Sequence, residues 1–217
     1  MKASPFFGAG FAIFLLGGCA TATTNYFPPT GLITPTNELV IGEPFEDVWD
    51  RMVKNLSADF FVINNIEKAS RLMNVSFSAN NPEGYIDCGR SQRTFTGLQG
   101  EQVYEYPSAS SSRYTTVNKQ GVAYNVFRTT KLEGRTNVYV APEGEKTRIR
   151  VNTRYVLNIE VKGYTLAGQF AGTENVSWAF NTKEVFEKPE PELQVTVKCV
   201  ATGALETKIL QAAKAGG

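Results

Sequence analysis

No histidine occurs among the 217 residues. That removes the Ser-His-Asp triad, the Cys-His dyad and every histidine-based metal site. Thiols, carboxylates and arginines remain as the groups able to do chemistry. Of the three cysteines, Cys88 and Cys199 form an even pair suited to a disulfide in an oxidising compartment. With no imidazole to activate it, Cys88 reads as structural rather than nucleophilic. Cys199 closes the run Leu193-Gln194-Val195-Thr196-Val197-Lys198-Cys199, whose odd positions are all apolar, so it is expected in the core. Joining the two cysteines closes a loop of about a hundred residues, which contributes up to ~4.7 kcal/mol in the chain-entropy model.

Two acids at a set distance suffice for glycoside hydrolysis, and Asp87 and Glu160 are the pair to nominate, although spacing in sequence does not fix spacing in space. The chain has no glycine-rich phosphate loop and no acidic calcium loop. The expectation is therefore a non-enzyme without cofactor or metal, with a carboxylate-dependent hydrolase as the alternative. Arg148, Arg150 and Arg154 fall on one strand face with Asn152 between them. They form either a basic stripe for lipid headgroups, anionic glycan or an acidic protein partner, or a solvated face whose arginines pair with Glu160 or a neighbouring strand.

Cys19 stands apart. Lys2 precedes an uncharged run from Phe6 to Leu16 that is too short to span a bilayer, which needs about 20 apolar residues. The run ends in Leu16-Gly17-Gly18-Cys19, which resembles the lipobox of bacterial lipoproteins. That resemblance implies a signal peptide over residues 1–18, cleavage before Cys19, and acyl chains on the Cys19 sulfur and its new amine. Two or three chains hold a protein on a membrane without a transmembrane helix. Ala20 stands where an aspartate commonly retains such proteins in the inner membrane, so the outer membrane, facing the periplasm, is the expected location. Removing residues 1–18 takes away only Lys2 among the charged residues and leaves 21 basic against 21 acidic side chains. A neutral body argues against nucleic acid as a partner.

The elements that must position these groups read as follows. Residues 20–37 carry no charge and three prolines, and read as a flexible tether behind the lipidated cysteine. Residues 38–217 read as one α+β domain. Leu39-Val40-Ile41 is a short strand. Phe45, Val48, Trp49, Met52, Val53 and Leu56 make the apolar stripe of a helix that starts at Pro44. Phe60 to Ile63 and Arg71 to Ser78 form a hairpin, and Tyr85 to Gly89 a further short strand. Residues 91–120 show no steady period, and Ser108 to Ser112 lie in their middle, so a long mobile loop is expected, with room for one short strand around Val103 to Tyr106. Alternation returns at Val122 to Thr130, Thr136 to Val140 and Arg148 to Val161, where Ile149, Val151, Thr153, Tyr155, Leu157, Ile159 and Val161 share one face. Turns at Glu133-Gly134 and Pro142-Glu143-Gly144 make an antiparallel meander. Val176 to Phe186 and Leu193 to Val200 add strands, and Thr202-Gly203 opens a last helix with Leu205, Ile209 and Leu210.

The segment from Pro44 to Ser78 resembles the opening of the helix-grip modules in the BamC group of outer-membrane lipoproteins. The likeness rests on Phe45 and Trp49 on a helix, then Phe61-Val62-Ile63, a polar turn and Leu72-Met73-Asn74-Val75-Ser76-Phe77. It implies a largely antiparallel sheet with an N-terminal and a C-terminal helix on one face, and an accessory role without catalysis beside an envelope protein partner. The alternative is a module that binds lipid, glycan or a small hydrophobic ligand between sheet and helix. Cys19→Ser is expected to abolish lipid attachment and leave the unprocessed precursor; recovery of a processed, membrane-bound protein from cells making this variant would refute the lipobox reading.

Overall fold

The computed structural model describes residues 20–30, 34–59, 61–190 and 195–214. The expected signal peptide, Cys19, Phe60 and Leu193 lie outside the described residues. In chain order the strands are β1 (Thr21–Phe27), β2 (Glu38–Ile41), β3 (Val62–Glu67), β4 (Leu72–Ala79), β5 (Ile86–Asp87), β6 (Arg90–Gly97), β7 (Gly100–Pro107), β8 (Ser112–Val117), β9 (Ala123–Glu143), β10 (Lys146–Thr165), β11 (Phe170–Asn181), β12 (Phe186–Glu190) and β13 (Val195–Ala201). Helix α1 (Phe45–Ala58) follows β2, and α2 (Ala204–Gln211) follows β13. This is the expected α+β class, largely antiparallel, with one N-terminal and one C-terminal helix.

The sheet is built on β9 and β10, which pair without a register break from Glu143↔Lys146 to Tyr124↔Thr165. Twenty pairs at the strand rise make a ribbon roughly 65 Å long. Its hairpin turn places Gly144 at φ 63°, a left-handed conformation that glycine adopts at no steric cost. On the outer edge of β9, β8 pairs with residues 123–128 and β4 with residues 132–139. On the outer edge of β10, β2 pairs with residues 147–150 and β11 with residues 154–164. Even residues of β9 and odd residues of β10 are buried through the middle of the ribbon, as the period of two requires.

Both helices contact β10, and α1 also contacts β9 and β3. Helix α1 has no side-chain cap, but Glu46 and Asp47 in its first turn suit the positive end of its dipole. It buries Val48, Trp49, Met52 and Leu56, at about 1.5–3 kcal/mol for a fully buried large apolar side chain. These join one apolar core with Ile149, Val151, Leu157, Ile86, Cys88, Cys199, Leu205 and Ile209. Cys88 and Cys199 are joined by the expected disulfide, which clamps the segment after β5 to β13. Helix α2 brings in a fully buried carboxyl, Glu206. Tyr155 donates to both of its oxygens (2.8 and 2.9 Å), and Thr182 Oγ1 donates to one (2.8 Å). Burial, then the adjoining Glu206, raises the Tyr155 phenol far above its usual range.

Four segments differ from the sequence reading. The supposed tether contains β1, which pairs along its whole length with β6; its Thr-rich sequence favours strand without alternating in polarity. Residues 91–120 hold β6, β7 and β8 rather than a mobile loop. The β6–β7 hairpin buries little, so its faces carry no apolar period. Glu133-Gly134 is no turn: β9 runs straight through it. The glycine is there because a Cβ at 134 would meet the Phe77 ring 1.9 Å away, on the buried side where Phe77 and Tyr155 flank it in register and contact edge to face at 6.4 Å. The strand expected from Val176 to Phe186 is instead two, β11 and β12, separated at Thr182 to Val185.

Gly134→Ala is expected to lower stability by about 1–3 kcal/mol through overpacking, read as a lower urea midpoint, whereas Lys131→Ala on the exposed face should leave the midpoint unchanged.

Candidate functional site

The sheet β1-β6-β7 packs beside β8, and the sheet β12-β13-β5 lies against β11. A cleft of about 270 Å³ opens where the three sheets meet, close to the lower end of ligand-pocket volumes. Its apolar lining comes from Ile159 and Val161 of β10, Val176 and Trp178 of β11, and Val195 and Val197 of β13. These are the cleft ends of strands whose other residues build the core, so the ordinary alternation of β10 and β11 supplies the floor. Trp178 stacks on Phe186 at 5.4 Å. It is only 8% exposed, and its indole N–H meets no acceptor among the described residues.

Two arginines stand across from this floor. Arg93 of β6 donates from Nε to Tyr106 Oη (2.8 Å) and from Nη1 to Thr24 Oγ1 (3.1 Å). Its guanidinium lies 4.3 Å from the centre of the Tyr114 ring, which stacks on Tyr106 at 6.0 Å. Arg128 of β9 donates from Nη2 to the Ser108 carbonyl (2.7 Å) and from Nη1 to the Ser110 carbonyl. Burial pulls the Arg128 pKa down and pushes the Tyr114 phenol up, and Arg93 partly offsets the latter. Neither arginine forms a salt bridge among the described residues. Of the two acids lining the cleft, Glu190 pairs with Lys188 at 2.8 Å. Glu174 also lines the cleft and acts on the Tyr114 phenol. The Ser91 and Ser108 hydroxyls bond each other at 2.8 Å. Fixed guanidinium groups opposite an apolar wall suit an anion with an apolar portion.

The residues nominated from sequence lie elsewhere. Arg148 is held by Glu143 (2.7 Å) and Glu38 (3.3 Å), and Arg150 by Glu38 (2.9 Å). The first two thirds of the stripe are thus neutralised by neighbouring strands, and the paired-face reading holds for them, with Glu38 and Glu143 rather than Glu160 as the acids. Those arginines hold both carboxyls below their usual range through hydrogen bonds. Arg154 is exposed and sits directly opposite Arg135. Asp87 accepts from the Gly89 N–H at 2.7 Å beside the disulfide, and Glu160 pairs with Lys162 at 2.7 Å on β10. Each acid has its own structural partner, and they belong to different sheets. Sequence reasoning missed Arg93 and Arg128. The available signal was arginine among threonine and tyrosine in segments of high strand propensity, Arg93-Thr94-Phe95-Thr96 and Tyr124-Asn125-Val126-Phe127-Arg128.

No protein-family model, curated protein or solved structure matches the chain.

Arg128→Met should cost about 3 kcal/mol, because two carbonyls lose charge-assisted donors. Thermal unfolding of the purified protein would check this, and Arg128→Lys should recover only part, since an ammonium cannot fork to both carbonyls.

Proposed function

We propose that this chain is a lipid-anchored, non-catalytic accessory protein of the bacterial envelope that binds an anionic amphiphile in the cleft between its sheets. The observation that carries the reading is the placement of Arg93 and Arg128, held by neutral partners and opposed by the apolar wall of Val161, Val176, Trp178 and Val197. A half-buried guanidinium that has no salt-bridge partner rewards an anion that reaches it. The lipobox supports the anchor and the envelope location. The disulfide suits an exported protein, and the likeness of residues 44–78 to barrel-assembly lipoproteins supports an accessory role beside an envelope partner. Among the described residues no helix is long and apolar enough to cross a membrane.

Calorimetric titration tests the ligand class with decanoate and decyl phosphate as probes, and with decanol and inorganic phosphate as controls that carry only one half of the chemistry. Decanoate or decyl phosphate should bind, and Arg93→Gln should weaken that binding about tenfold or more, the worth of one charge-assisted hydrogen bond. Arg148→Gln should bind as the unaltered protein does. Equal binding of decanol, or an Arg93→Gln variant with unchanged affinity, would refute the assignment.

A further inference from the structure

Three turns and the start of the described N-terminal strand converge on one end of the molecule. Tyr104 of β7 donates to Thr115 Oγ1 of β8 at 3.2 Å, and the same level of the long sheet carries Asn125 and Tyr164 through the pairs Thr115↔Asn125 and Asn125↔Tyr164. Beyond that level lie the β6–β7 turn at residues 97–100, the β8–β9 turn at residues 118–121 and the β10–β11 turn at residues 165–169. Strand β1 starts there too, since Thr21 pairs with Thr96.

Turn residues at the surface are ordinarily polar. Here the three turns, Gly97-Leu98-Gln99-Gly100, Asn118-Lys119-Gln120-Gly121 and Thr165-Leu166-Ala167-Gly168-Gln169, contain one charged residue, Lys119. Within or just after them Leu98 is 91% exposed, Leu166 62%, Phe170 61% and Val122 49%. Isolated exposed apolar residues are commonplace, but several gathered at one end of a chain mark a contact.

The occupant is set by where the chain leads. Cys19 stands two residues before Thr21, and two residues span at most about 7 Å. We propose that this end of the molecule docks on the bilayer, with Leu98, Leu166 and Phe170 entering the headgroup–acyl boundary beside the lipid of Cys19. The proposal rests on the reading that Cys19 is acylated. Turns with apolar side chains and a single charge, Lys119, keep down the cost of desolvating charge at that depth, and their insertion restrains the body against rotation about its anchor.

The test uses the mature lipidated protein in phosphatidylethanolamine–phosphatidylglycerol vesicles whose acyl chains are brominated near the headgroup. Leu98→Trp, Leu166→Trp and Phe170→Trp are compared with Tyr139→Trp near the opposite end of β9. Entry to a depth of about 5–10 Å should quench roughly half of the added emission at 98, 166 and 170, and leave that at 139 unquenched. Vesicle-bound, lipidated protein whose tip tryptophans are quenched no more than that at 139 would overturn the docking while leaving the anchor intact. A mature Cys19 that carries no acyl chain by mass spectrometry would instead remove the anchor reading and the docking with it.

Discussion

Twenty consecutive backbone pairs between β9 and β10 constrain everything else. A ribbon of this length cannot slip by one residue without turning its apolar side to solvent. Along its middle that side carries Leu132, Val138, Val140, Ile149, Val151, Tyr155 and Leu157, all fully buried. With its register fixed, each edge accepts two strands end to end. Pairing of β2 and β4 defines the half that carries the helices, and pairing of β8 and β11 defines the half that carries the cleft. The cleft is thus a consequence of overlength. The ribbon extends past the part that the helices cover, and the two small sheets shield only some of the apolar face that remains.

The covered half is closed by polar contacts as well as apolar ones. Glu206 is fully buried and accepts from Tyr155 and Thr182. Thr182 in turn accepts from the Thr153 N–H at 2.8 Å, and Thr153 exchanges a hydrogen bond with Thr136 at 2.9 Å. This chain of donors runs from α2 through β10 to β9. A buried carboxyl tolerates few positions once its donors are specified, so it fixes how α2 sits on the sheet. The disulfide acts on the other end of the same segment, holding β13 against the residues after β5. Tyr26 of β1 ties onto that clamp by accepting from the Lys198 N–H at 2.9 Å and donating to either the Cys88 or the Lys198 carbonyl.

What could be read from sequence followed from burial. Helix α1, strand β4 and the buried side of β10 were legible because each has one face in the core and one nearer solvent. The pairing of Cys88 with Cys199 was legible because setting Cys19 aside leaves them as an even pair, and the core position of Cys199 was legible from the strict alternation of its run. Strands β1, β6 and β7 were not, because their side chains are mostly partly exposed on both faces. Thr21-Ala22-Thr23-Thr24 carries strand propensity without a hydrophobic period. Gly134 misled for a different reason: glycine marks a turn or a close approach with equal right, and only the position of Phe77 decides between them. Arg93 and Arg128 were hidden because each is a lone cation in a local context of strand residues. Their proximity comes from sheet packing between segments 35 residues apart in number, which no local pattern records.

The strand status of residues 21–27 changes what the proposed anchor at Cys19 would do. A tether of eighteen residues would let the body range up to about 60 Å from the membrane. With β1 paired to β6 from Thr21 onward, an acylated Cys19 holds the small sheet at the bilayer itself. Thr24, which lines the cleft and accepts from Arg93, lies within roughly 17 Å of Cys19. An anionic amphiphile leaving or entering a bilayer presents its charged head at the surface and its chain below. A cleft with guanidinium groups on one side and an apolar wall on the other, held at that height as proposed, would meet both parts without crossing bulk water. On the proposed reading, anchor, turns and cleft belong to one geometric arrangement, set by how soon after Cys19 the first strand begins.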